Sequence, residues 1–271
     1  MYCKSYSRFD AKRAARYTRS ALILTQAASC QSLISFFYYM PEAVATEVVD
    51  ISPGGDLLVN VQGKEGSASY DFRVSSQQLS EASPYFASLL DPDKFKEGAN
   101  IRDSHRRILQ THTSFNDVPD DALPRIRIEE LGCISKVSSV RQIATDFLSV
   151  LHNIDVFVKQ PPVANIANLT IVADRFDALA FFKDYVQHRN LLRAVNARSK
   201  LNSGLAEERT RQMLMIGVML DYKPWVAPLS KRLIIHGSSQ WQAKARDKFS
   251  LPLWWNLPHG VEGTKKSIPI S

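Results

Sequence analysis

Residues 70–98 read Y-D-F-R-V-S-S-Q-Q-L-S-E-A-S-P-Y-F-A-S-L-L-D-P-D-K-F-K-E-G. Tyr70, Phe72 and Val74 alternate with Asp71 and Arg73, the period of two that makes one face of a strand apolar. Ser75 then stands three residues before Gln78, the spacing of a capping box at a helix start. That helix carries Leu79 and Ala82 and ends within two turns. Ser83-Pro84 restarts the chain, with a capping hydroxyl followed by a proline at the first helical position, where its missing N–H costs nothing. Phe86, Leu89 and Leu90 supply the apolar side of this second helix. Asp91-Pro92 stops it, because a residue before proline is pushed out of helical geometry.

The patterning continues on both sides. Leu57, Val59 and Val61 alternate with Leu58, Asn60 and Gln62, and Gly63-Lys64-Glu65-Gly66 supplies a turn, so residues 57–74 are read as a β-hairpin. Pro53-Gly54-Gly55-Asp56 is a further turn; without a following Lys-Ser/Thr and a helix it is no phosphate loop. Leu123 to Glu129 alternates again and is read as another strand. Ser139 and Gln142 are spaced as a capping box for a helix with Val140, Ile143, Ala144, Phe147, Leu148 and Leu151 on its apolar face. A second helix, capped by Asn165, carries Ile166, Leu169, Ala173 and Phe176, and a third carries Leu179, Phe182 and Val186. Phe72, Val74, Leu79, Phe86, Ile126, Phe147, Leu151, Leu169 and Phe176 are therefore expected to share one core.

Two regions break this order. Residues 99–123 show no clear period and are read as an inserted mobile loop between patterned elements. Within it, His105 and His112 stand seven residues apart; two histidines without a third ligand are weak evidence for a metal, and solvated histidines are the simpler reading. Residues 1–41 hold six basic residues and one acidic one and run into an apolar stretch from Ala21 to Met40. A transit peptide, a signal sequence, a membrane anchor and a poorly ordered amphipathic extension compete for this segment. Gln26, Ser29, Gln31, Ser32 and Ser35 weaken the anchor, since polar groups in lipid need partners.

Phe72-x-Val-x-Ser-x-x-Leu-x-x-Ala-Ser-x-x-Phe86, followed by Phe95-Lys96-Glu97-Gly98, resembles the central signature of the BTB/POZ domain in its fungal form. Leu169 to Leu179, L-T-I-V-A-D-R-F-D-A-L, resembles a helix that in this family reads L-x-x-A-D-K-Y-x-x-x-x-L. The family's aromatic-glycine ending is absent at Val158–Pro162. The closing Pro252-Leu253-Trp254-Trp255-Asn256-Leu257-Pro258 resembles the tail of long fungal BTB proteins. The resemblance implies an α+β fold, a small sheet of three or more strands with a cluster of short helices, over residues 46–190. A helical extension over 191–271 would follow it. There Ser203 is read as a cap, Met213–Leu220 as a buried helix and Pro224-Trp225-Val226 as the start of another.

By the same resemblance the chain is expected to bind proteins: itself, a cullin-type ubiquitin-ligase scaffold, or both. In BTB adaptors that engage a cullin, an apolar-x-Glu triplet follows the second helix of the signature, and Phe95-Lys96-Glu97 stands at the matching place. Phe95 could enter an apolar groove on the partner while Glu97 meets a donor at its rim; alternatively, Phe95 closes the domain's own core. Val48, Val49 and Ile51 are candidates for a self-association face.

Charge separates the competing function classes. The net +7 divides into +5 over residues 1–41, −6 over 42–98 and +8 over 191–271. Basicity thus belongs to the ends, whereas a nucleic-acid binder usually carries it on the folded recognition element. A nucleic-acid-associated factor using those ends is the alternative. Cys3, Cys30 and Cys133 form no metal or disulfide pattern and suit a reducing compartment, so the cytoplasm or nucleus is expected, with a mitochondrial address for residues 1–41 left open. The chain has no H-E-x-x-H, G-x-S-x-G, G-x-x-x-x-G-K-S/T or G-x-G-x-x-G. No catalytic, cofactor-binding or metal residue is assigned, no small-molecule substrate is indicated, and no enzyme activity is expected.

Overall fold

The computed structural model describes residues 47–62, 69–135, 139–156, 160–198, 206–236 and 252–255. They form an α+β structure with one four-stranded sheet in the order β1-β3-β2-β4. The strands are β1 (Val48–Asp50), β2 (Leu57–Gln62), β3 (Ser69–Val74) and β4 (Arg125–Ile128). β2 and β3 pair antiparallel, Leu57 opposite Val74 through Gln62 opposite Ser69, so the expected hairpin register is present. β1 lies parallel to β3 with Val49 opposite Phe72, and β4 parallel to β2 with Val59 opposite Ile126.

Alternation along the strands gives the sheet two occupied faces. Leu57, Val59, Val61, Phe72, Val74, Ile126 and Ile128 belong to the main core. Leu58 points the other way, into a second cluster with Ile108, Val118 and Leu123. Polar groups on that second side are tied down as well. Asp71, buried at 3 % exposure, accepts from Asn60 Nδ2 at 2.7 Å and from Arg125 at 3.0 Å. A buried carboxylate would otherwise be costly, and two donors on the neighbouring strand and the strand beyond it offset that cost.

The main core is covered by helices. α1 (Ser76–Ala82) and α2 (Pro84–Leu89) follow β3 directly. Ser75 caps α1, its Oγ accepting from Gln78 N, and Ser83 caps α2, its Oγ accepting from Phe86 N at 3.2 Å, with Pro84 at the first helical position. The Ser83 hydroxyl also donates to the Phe176 carbonyl at 2.6 Å, joining this helical pair to a segment 93 residues away. Around that point Phe86 and Phe147 each stack on Phe176, both with centroids 5.5 Å away. All nine residues assigned to a common core from the sequence lie in this one cluster.

α3 (Lys96–Thr111) lies between α2 and β4; α4 (Val140–Leu151), α5 (Val163–Arg175) and α6 (Leu179–His188) follow β4. Ser139 precedes α4 as expected, but its hydroxyl makes no cap hydrogen bond; Gln142 instead donates to Asp146 at 3.0 Å. α5 starts at Val163 after Pro162, two residues ahead of the expected Asn165 cap, because the Pro161-Pro162 pair already sets extended geometry before a helix start. Arg175 donates to the Glu130 carbonyl at 2.9 Å.

α7 (Leu191–Arg198), α8 (Glu207–Met219) and α9 (Lys223–His236) contribute to the same core. Met213, Leu214, Met215 and Ile216 are all buried, so the middle of α8 is covered on every side, as four consecutive apolar residues require. The turn Leu253–Trp255 buries both Trp254 and Trp255, and the Arg211 guanidinium lies 5.1 Å from the Trp255 ring centre. Ser203 and residues 1–41, with their targeting and cap readings, lie outside the described residues, as do Cys3 and Cys30.

The loop expected over 99–123 is corrected. Residues 96–111 are the helix α3, and Phe115–Asp117 and Asp120–Ala122 are two 3-10 turns. Gly98, Ile101 and Ile108 are the buried residues of α3, too few to give the segment an obvious apolar period. Arg73 holds the following stretch in place, donating to Asp120 Oδ1 at 2.9 Å, the Phe115 carbonyl at 2.6 Å and the Gly55 carbonyl at 3.1 Å.

Candidate interaction site

The junction of α2 and α3 is the place where the candidate residues Phe95 and Glu97 stand. It is built from a short turn whose geometry follows from Asp91. The Asp91 side chain accepts from Asp93 N at 3.0 Å, and its main-chain carbonyl accepts from Lys94 N and Phe95 N at 3.1 and 3.2 Å. Lys94 adds an ion pair to the same carboxylate at 3.2 Å. The Asp93 N–H first, and then Lys94, hold the Asp91 carboxyl below its ordinary 3.8. Asx turns of this kind set a chain reversal without help from the core.

Gly98 makes the turn compact. A Cβ at that position would lie 2.5 Å from the Asp91 carbonyl oxygen and 2.7 Å from the Leu90 carbonyl carbon. The first turn of α3 therefore sits directly against the backbone that ends α2, and only glycine permits the approach. Phe95, with extended φ −132° and ψ 148°, is the residue before the helix, and it is 49 % exposed. The alternative in which Phe95 closes the protein's own core is thereby excluded. Glu97 is exposed in the first turn of α3, where a carboxylate complements the free N–H groups of the helix start. Two residues apart, the side chains point to different sides of the helix. A partner touching both has to wrap around the end of α3.

Val48, Val49 and Ile51 do not form a free face. Ile51 is 6 % exposed and part of the main core, Val49 packs against that core, and Val48 packs against the second cluster. Their apolar character is explained by β1, whose parallel pairing with β3 was not visible in a three-residue strand. Ile51 is withdrawn as a contact residue.

His105 and His112 do not converge on a metal; among the described residues no group of three or more His, Cys, Asp or Glu side chains could hold one. His105 Nε2 lies 2.8 Å from the Asp56 carbonyl and its ring meets Phe115 edge-on at 5.1 Å. Cys133 is exposed and unpaired. No helix among the described residues is long and apolar enough to cross a membrane.

The sequence reading missed Leu109, on the same helix as Glu97 and 53 % exposed, and Tyr85, 42 % exposed on α2. Leu109 stood inside the segment read as a loop, and the only sequence signal for it is an apolar residue out of phase with Ile101 and Ile108.

No family model, curated protein or solved structure matches this chain.

Proposed function

We propose that the chain is a protein-interaction module of the BTB/POZ type that uses Phe95 and Glu97 to engage a cullin-type ubiquitin-ligase scaffold. The observation that carries this reading is Phe95, a large aromatic side chain left 49 % exposed on a turn braced by Asp91 and Gly98. An aromatic anchor on a rigid element loses little entropy on docking, which is how a few residues come to dominate an interface. The resemblance of residues 72–98 to the family signature supplies the class of partner, and the order of hairpin, two coupled short helices and helical cover is compatible with it.

Purified full-length protein is mixed with the N-terminal region of a cullin, and recovery is compared with that of Glu97→Ala. Glu97 is exposed, so its replacement leaves the fold intact. Recovery with the wild type and its loss with Glu97→Ala is the expected result. Failure of the wild type to bind, or equal recovery of the variant, removes the cullin. Light scattering on the same sample reads self-association, for which the burial of Ile51 leaves less apolar surface than the sequence suggested.

A further inference from the structure

The solvent side of α3 carries a stripe that the buried side does not explain. On a helix of 3.6 residues per turn, positions 102, 106 and 109 fall within about 60° of one another. They are Arg102, Arg106 and Leu109, all exposed, with half-buried Ala99 one turn before them and exposed Phe95 at the cap that opens the helix. The steps of four and three match the seam along which a second helix packs. At 1.5 Å per residue the stripe is about 21 Å long. Ile101 and Ile108, which attach α3 to the protein, lie on another side.

We propose that this stripe is a docking surface for an acidic amphipathic helix of a partner protein. Its apolar residues would cover Phe95 and Leu109, and its carboxylates would meet Arg102 and Arg106. The charge argument is local. Arg102 enters no salt bridge among the described residues. Arg106 has only Asp103 at 3.6 Å, with both side chains more than half exposed, a pair that contributes little. Both guanidinium groups are therefore free to take carboxylates at little cost. The chain's own ends do not fit the stripe: residues 1–41 carry net +5 and residues 191–271 net +8, so they are repelled by it. A stripe one helix wide is smaller than the roughly 800 Å² per partner of a stable interface. It extends the Phe95 contact and rests on the interaction reading above.

The test uses the full chain in cells, with the photo-crosslinker benzoylphenylalanine in place of Phe95 or of Leu109. Both sites are exposed, so the fold is kept. The expected result is capture of the same polypeptide from both positions, through a segment rich in Asp and Glu. The double change Arg102→Glu and Arg106→Glu should reduce capture from position 109 at least tenfold, with an unchanged melting curve. Capture from position 95 alone, or insensitivity to the charge reversal, overturns the α3 surface and leaves the Phe95 reading standing. Capture of a second copy of this chain, of nucleic acid, or of a basic segment overturns it too. No capture from either position overturns both readings. The identity of the captured polypeptide, cullin or other, decides the previous proposal separately.

Discussion

His152 Nε2 accepts the backbone N–H of Ser75 at 3.0 Å, while His152 Nδ1 donates to the Leu148 carbonyl at 2.8 Å. One nitrogen must carry the proton and the other must not, so the ring is neutral and its tautomer is set by its two partners. Through this ring the end of α4 holds the residue that caps α1. Nearby, Asp56 accepts from Ser76 N at 2.7 Å and from Ser76 Oγ at 2.5 Å, with His105 Nε2 3.7 Å from its carboxylate on another side.

Burial, the leading cause, pulls the His152 pKa below its ordinary 6.5, against the smaller opposing effects of the Leu148 carbonyl and Asp56. The unfolded chain then binds more protons than the folded one between the lowered value and about 6.5. Stability is therefore level above that pH and falls as pH drops through it. Denaturant unfolding at a series of pH values from 8 to 5 should show this decline. In His152→Gln, which cannot titrate there, the decline should be shallower; an equal slope in both proteins would show that other groups cause it.

Phe147 is 2 % exposed and stacks on Phe176. Phe147→Ala is expected to cost about 3–5 kcal/mol, the range for emptying a buried aromatic site. Equilibrium unfolding measures it directly. A loss below about 1 kcal/mol would mean that α4 does not face the core.

Gly98→Ala places a methyl group against backbone atoms of Leu90 and Asp91 that cannot rotate away. The α2–α3 turn has to open, at an expected cost of about 1–3 kcal/mol. Because Phe95 rides on that turn, the variant should also lose partner binding, as Glu97→Ala does. A melting temperature equal to the wild type would show that the approach is looser than described.

Arg102, Arg106 and Arg107 lie in a helix rather than a loop, so trypsin should cut there slowly, in step with global unfolding. Arg73→Ala removes the two hydrogen bonds that hold Phe115 and Asp120 and should make these sites sensitive under native conditions. Rapid cleavage of the wild type at all three arginines would restore the loop reading.

How far the sequence reaches can be judged from single elements. The alternation at Leu57–Val61 and Tyr70–Val74, the two serine caps before α1 and α2, and the period of α4 are local signals, set by backbone geometry within a few residues. Together with the alternation at Leu123–Glu129 and the period of α5, they determined the hairpin, the helical pair and all nine core residues correctly. Val48–Asp50 is too short to show a period, and its place as a parallel edge strand depends on β3, more than 20 residues ahead in register. α3 failed for a related reason. It attaches by a narrow line of Gly98, Ile101 and Ile108, and apart from Ala99 and Leu109 the rest of the helix is charged or polar. What holds it in place is packing on two sides: Ile101 joins the main core, and Ile108 is received by Leu58, Val118 and Leu123 on the second face of the sheet. Local pattern therefore determined which segments could be strand or helix, and only tertiary packing decided that Ile51 is consumed by the core while Phe95 is left outside. Burial belongs to pairs of surfaces, and an apolar residue carries no record in its own sequence of whether a partner surface exists.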